Sequence, residues 1–282
     1  MVKYKTGGGS PPLRKGEKKM ATVYEIINEK IIDALEKGVS PWEKPWIAHK
    51  NLKSGNTYRG MNQWLLQLDQ RSTPYWLTYK QAQELGGNVK KGEKGSMVIF
   101  YKSYKRKGDG EDEPDRRCLR YYKVFNLDQI EGIAAPIAHE ENQTAEEVID
   151  GMKKAPTISF RGLQPCYIPS KDEIEMPDKS SFPEIDEYYS TMFHELVHST
   201  GHKSRLDRGL VGNTFQSKDK YGFEELVAEM GAAYLCGVTG IEVVKHNASY
   251  IKGWADIIRA DKMMILKAAA AAQKAVDLIL NK

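Results

Sequence analysis

The stretch His194-Glu195-Leu196-Val197-His198 constrains this chain more than any other feature, because residues four apart share one face of an α-helix. Met192, Phe193, Leu196 and Val197 surround the histidines with apolar side chains, so the spacing predicts a helix over 184–200 that is buried on its sides. From one face both imidazoles can reach a single Zn²⁺ at about 2.0–2.1 Å. Glu195 is rotated by about 100° from His194. It therefore stands beside the ion rather than on it, placed to take a proton from attacking water. The competing reading is a chance match on an amphipathic surface helix, so a third ligand has to decide.

Gly201 stands where the extended HExxHxxG pattern of metzincins has its glycine, but their third histidine would fall on Ser204, which excludes that class. His202 follows His198 by four residues, yet a glycine precedes it and the helix should end there. It reads as a capping or supporting residue. The better source is the next helix, 223–236, where Glu225 and Glu229 lie one turn apart among apolar and small residues. Two carboxylates on such a face are costly to bury unless something positive sits opposite. In glutamate-ligand zincins the first carboxylate of such a pair binds the ion and the second orients a ligand histidine. Here that makes Glu225 the ligand and Glu229 the orienting group, with the exchange of the two left open. Two exposed glutamates on a solvated face are the alternative.

Cys118, Cys166 and Cys236 lie far apart without a CxxC, which argues against a disulfide framework and against a thiolate zinc site. No apolar run approaches the ~18 residues of a membrane span. Residues 1–19 are basic with no apolar segment behind them, so they do not read as a signal peptide. The expectation is a reduced, cytoplasmic chain, which disfavours a secreted protease. Residues 1–20, with Gly7-Gly8-Gly9-Ser10-Pro11-Pro12, read as a flexible leader. Charge is split unevenly: residues 1–110 carry a surplus of +11 and the remainder −7, for a net +4. A basic front on an acidic back suggests two modules, the first facing a polyanion.

Periodicity predicts helices over 22–38, 62–68 and 78–85, then strands over 96–101 and 118–125 joined as a hairpin by a polar turn. Pro41-Trp42-Glu43-Lys44-Pro45-Trp46 is broken by its prolines. The unperiodic stretch 131–143 marks the boundary between a domain at 21–135 and one at 145–282. In the second, a helix over 144–153 precedes short strands at 166–169 and 173–177. Helices over 184–200, 223–236, 246–258 and 260–281 follow.

The chain resembles ArdC-type antirestriction proteins in Ala34-Leu35-Glu36-Lys37-Gly38, the Pro41–Trp46 string, Tyr58-Arg59-Gly60-Met61-Asn62 and Trp76-Leu77-Thr78-Tyr79-Lys80-Gln81-Ala82. The likeness continues through Leu85-Gly86-Gly87-Asn88-Val89-Lys90-Lys91-Gly92-Glu93-Lys94-Gly95, the HExxH segment, Arg205-Leu206, 224–233 and Ser249-Tyr250-Ile251. It covers about residues 22–280 in order. The resemblance implies an α+β fold of two domains: a small α+β domain that binds single-stranded DNA, then a mostly helical zincin-like metallopeptidase domain with a small sheet. It also implies carriage by plasmids and other mobile elements.

Single-strand binding needs cations for phosphates and aromatic faces for bases. The candidates are Lys44, Trp46, Tyr58, Arg59, Lys80, Lys90, Lys91 and Lys94, with Trp46, Tyr58 and Arg59 expected at the surface and Trp64 and Trp76 in the core. The loop 90–95 should hold phosphate with lysines and backbone N–H groups. The resulting reading is an antirestriction-type protein that binds single-stranded DNA and carries a Zn²⁺ site (Mn²⁺ the other candidate) for cleaving DNA-associated proteins. An extended substrate is expected along a strand edge near 173–176. The alternative is a non-catalytic single-strand binder with a structural metal. Against it, Glu195 is present, and structural zinc is usually closed by four protein ligands where three are found.

Overall fold

The computed structural model describes residues 22–42, 48–104, 116–136, 143–161, 164–210, 218–241 and 248–282. The leader, Lys44, Trp46 and most of the polar turn of the predicted hairpin lie outside the described residues.

The front half begins with α1 (Val23–Glu36), β1 (Lys50–Asn51), α2 (Met61–Gln67), β2 (Tyr75–Leu77) and α3 (Tyr79–Glu84). It continues with β3 (Asn88–Val89), the long hairpin strands β4 (Ser96–Tyr104) and β5 (Arg116–Asn126), and β6 (Ile130–Glu131). The rear half holds α4 (Ala145–Gly151), β7 (Thr157–Ser159), β8 (Cys166–Ile168), β9 (Glu173–Glu175), α5 (Ile185–Ser199), α6 (Lys218–Thr239), α7 (Ala248–Ala260) and α8 (Met264–Ile279). Thr22, Thr78 and Thr144 each close a capping box with the Glu or Gln three residues on, which is why α1, α3 and α4 start there. Among the described residues no helix is long and apolar enough to cross a membrane.

Among the described residues three small sheets form, in orders β1-β2-β5-β4, β3-β6 and β7-β9-β8. The third corrects an expectation. Strand β9 is central, parallel to β7 and antiparallel to β8, so it has no edge to offer a substrate. Among the described residues the outer strand next to α5 is β8.

Trp64 and Trp76 are buried as expected, and Trp42 is buried with them, its ring edge-on to Trp254 at 6.4 Å. One main core runs from Ile27 and Ile31 of α1 and Trp64 of α2 through Phe193 and Leu226 to Ala268 and Ala272 of α8. At the α5–α6 contact Gly231 is required by distance, since a Cβ there would sit 2.7 Å from Val197 Cγ2. That close approach lets α6 bring its carboxylates to the histidines of α5.

Candidate metal centre

Helix α5 presents His194 and His198 with their Nε2 atoms 3.0 Å apart. Across the α5–α6 contact, Glu225 places Oε2 3.6 Å from His194 Nε2 and Oε1 3.5 Å from His198 Nε2. Ligand atoms held 2.0–2.2 Å from one ion at tetrahedral angles are about 3.3 Å apart. The three side chains therefore fit a divalent ion in both chemistry and spacing.

The ring orientation agrees. His198 Nδ1 lies 3.2 Å from Glu224 Oε1, so it donates there and leaves Nε2, facing Glu225 and His194, as the atom that would give up its proton to meet an ion. Burial alone would push His198 down, but the carboxylates of Glu224 and Glu225 outweigh it and carry the ring up to about 10. Burial likewise opposes ionisation of Glu225, yet bonding to His194 and His198 holds its carboxyl at about 2. The surroundings favour positive charge between these groups.

Glu224 and Arg208 were not singled out from sequence. Arg208 binds both oxygens of Glu224, at 2.8 and 2.6 Å, and also donates to the Val197 carbonyl and the Thr200 hydroxyl at the end of α5. Glu224 is thereby ionised despite burial and locks His198. The Glu-Glu doublet was a signal for Glu224, because its first member is turned about 100° from the second. For Arg208, in a turn 16 positions from its partner, there was none. Glu229 is buried on the other side of the site, its Oε1 3.9 Å from His194 Nδ1.

Glu195 is buried beside the trio, and the Tyr167 N–H of β8 donates to its Oε2 at 2.7 Å. His202 lies apart from the trio, in the turn after α5, where its Nδ1 is 2.8 Å from the Ser204 hydroxyl. Below it Arg205 is paired with Asp172.

Among the described residues the front-half candidates are spread over several elements rather than one cluster. Tyr58 is half-buried against Leu66, Trp76, Val98 and Val124, and burial raises its hydroxyl to about 12. That corrects the expected exposure: the ring finishes a small core under the hairpin. Arg59 is exposed but paired with Asp277 of α8. Lys80 lies 3.8 Å from Glu84. In the loop 90–95 the Lys90 ammonium donates to the Asp128 carbonyl, and the Lys90 and Glu93 amides are bound to backbone carbonyls, so those two N–H groups are not free for phosphate. Lys91 and Lys94 are exposed.

Residues 143–271 match the zincin-like metallopeptidase family and residues 21–125 the N-terminal domain of anti-restriction factor ArdC. The crystal structure of the antirestriction ArdC protein from plasmid R388 is similar at a TM-score of 0.78 and 36% identity, over 92% of this chain and 97% of that one. Its Mn(II)-bound form matches at 0.78 and 35%. Protein y4eC of Sinorhizobium fredii is 33% identical over 90% of both chains. DNA primase TraC of Escherichia coli is 33% identical, but the chain spans only 27% of its length.

Proposed function

The chain belongs to the ArdC family of antirestriction proteins, and from that premise we propose that it binds single-stranded DNA through residues 21–135 and cleaves DNA-associated proteins in the cytoplasm through a peptidase site within 145–282. The observation that carries this reading is the placement of Glu195. One of its oxygens is clamped by the Tyr167 N–H, while Oε1 has no hydrogen-bond partner among the described residues. A purely structural metal has no use for a buried carboxylate held beside its ligands.

His194, His198 and Glu225 would hold the ion, Zn²⁺ by donor type or Mn²⁺, which one form of the R388 relative contains. When bound, it supplies Lewis acidity that polarises a scissile carbonyl. Glu195 then takes the proton of the attacking water on Oε1 and passes it to the departing amine nitrogen. Tyr167 fixes the carboxylate so that this oxygen faces the reacting atoms. An extended substrate runs along the outer side of β8, next to Glu195 and in place of the central β9, with the Tyr167 N–H kept by Glu195. The DNA-binding module raises the peptidase's effective concentration only for proteins on the same strand, so free proteins are poor substrates.

The test is Glu195→Gln. The variant should retain its metal and lose cleavage of DNA-bound protein or of the chain itself, together with protection against restriction. Equal protection by wild type and variant would show that the peptidase is not the route, leaving single-strand binding as the protective act.

A further inference from the structure

The β4–β5 hairpin reaches beyond the sheet that anchors it. At its base both faces are covered: Met97, Ile99 and Leu119 join the main core, and Val98 and Val124 pack with Leu66 and Trp76. Farther out the register sets Val98 opposite Tyr122 and Phe100 opposite Arg120. Side chains two apart share a face, so Tyr122, Phe100, Arg120 and Lys102 form one strip. The strip is open. Phe100 is 41% and Tyr122 40% exposed, and their rings lie 5.6 Å apart. Lys102 and Arg120 are exposed with no ion-pair partner among the described residues. Across both strands there are five Lys or Arg and no Asp or Glu.

Strand propensity explains exposed tyrosines. It also favours phenylalanine and disfavours carboxylates in strands, but it does not account for two rings and two unpaired cations gathered on one open face. Flat rings beside unpaired cations match the two demands of an unpaired nucleic-acid strand, base faces and phosphates, whereas a duplex hides its base faces in the stack. The loop 90–95 lacks rings, and part of its donor set is already committed.

We propose that single-stranded DNA lies along this hairpin face, its bases stacked on Phe100 and Tyr122 and its phosphates met by Lys102 and Arg120. The inference rests on the reading of the front half as a single-strand binder and moves the contact from the basic loop to the hairpin.

The experiment is anisotropy of a labelled oligothymidine with the full chain, with thermal midpoints recorded for every variant. Phe100→Leu and Tyr122→Leu keep apolar bulk but remove the flat ring. Each should weaken binding roughly 10-fold at an unchanged midpoint, and Tyr122→Phe should restore it. Lys102→Ala and Arg120→Ala should each reduce the salt slope by about 0.7. If wild type binds and the leucine variants bind equally well, the hairpin proposal falls while single-strand binding stands. The proposal falls too if Tyr122→Phe loses as much as Tyr122→Leu, if duplex binds as tightly, or if the variants alter only self-association. If wild type fails to bind any single strand, the reading beneath the proposal fails with it.

Discussion

His49 in the front half and His198 in the rear are both buried, 2% and 8% exposed, and their surroundings treat charge in opposite ways. Trp76 Nε1 donates to His49 Nδ1 at 3.0 Å, and Nε2 faces Gln67 Oε1 at 3.2 Å, so every partner suits a neutral ring. Burial pushes His49 down to about 4, and the Gln67 contact only partly offsets it. His198 meets the same burial, but two carboxylates reverse the sign. Burial sets how costly a charge is; the partners decide whether one is wanted. His49 is a polar peg joining α2 to β2, while the His198 region has the carboxylates to favour a positive charge. The hairpin follows a third rule, with Lys102 and Arg120 left to water.

Exchanging the histidines' fates would break this comparison most directly. His194→Ala or His198→Ala should abolish binding of one divalent ion, measured by metal content, and remove the rise in midpoint that excess metal produces. His49→Gln should keep the ion. Glu225→Ala should also lose it; loss with Glu229→Ala and not with Glu225→Ala would exchange their roles.

Arg208→Ala comes next. It strips Glu224 of a buried bidentate partner and should cost about 3–5 kcal/mol in denaturant unfolding. A cost near zero would mean that the support behind His198 is slack.

The pH dependence sharpens the contrast from the other side. An unfolded histidine titrates near 6.5 and folded His49 near 4. Between these values the unfolded chain binds a proton that the folded ring refuses. Stability therefore falls as pH drops from 6.5 towards 4, by about 3 kcal/mol in full. His49→Gln should remove that part of the slope in pH-dependent unfolding. An unchanged slope would show that His49 does not titrate there.

Glu224→Gln keeps the shape and removes the charge, and should weaken metal affinity about 10–100-fold by calorimetry. The smallest effect belongs to the exposed arginine. Arg59→Ala breaks the ion pair with Asp277, with Arg59 57% exposed, and should change stability by no more than about 1 kcal/mol. A larger loss would give that surface contact between the halves a weight its exposure does not suggest.

Legibility followed the distance over which each interaction acts. The capping boxes at Thr22, Thr78 and Thr144 join residues three apart, so the starts of α1, α3 and α4 could be read directly. The histidine pair on α5 and the carboxylates on α6 were equally plain, because helical periodicity sets a face within one turn. Strand β7 is three residues long and pairs in parallel with β9 from 16 positions away, so nothing local announced it. Without β7, β9 looked like an edge. Tyr58 looked like a surface ring because Val98 and Val124, which cover it, are supplied by the hairpin.

By itself the sequence determined which chemistry the chain carries: an imidazole pair with a neighbouring carboxylate on one helix, acidic donors on another, and a front half rich in cations and rings. Side-chain identity and helical pitch are local properties and need no fold to be read. Only the tertiary structure decided which carboxylate meets which nitrogen, with Glu224 on His198 Nδ1, Glu225 facing both Nε2 atoms and Tyr167 holding Glu195. It likewise decided which cations stay unpaired. Those outcomes depend on the close approach of α5 and α6 at Gly231 and on strand register. Both are settled by packing between segments far apart in the chain, where a shift of one residue would present a different set of side chains.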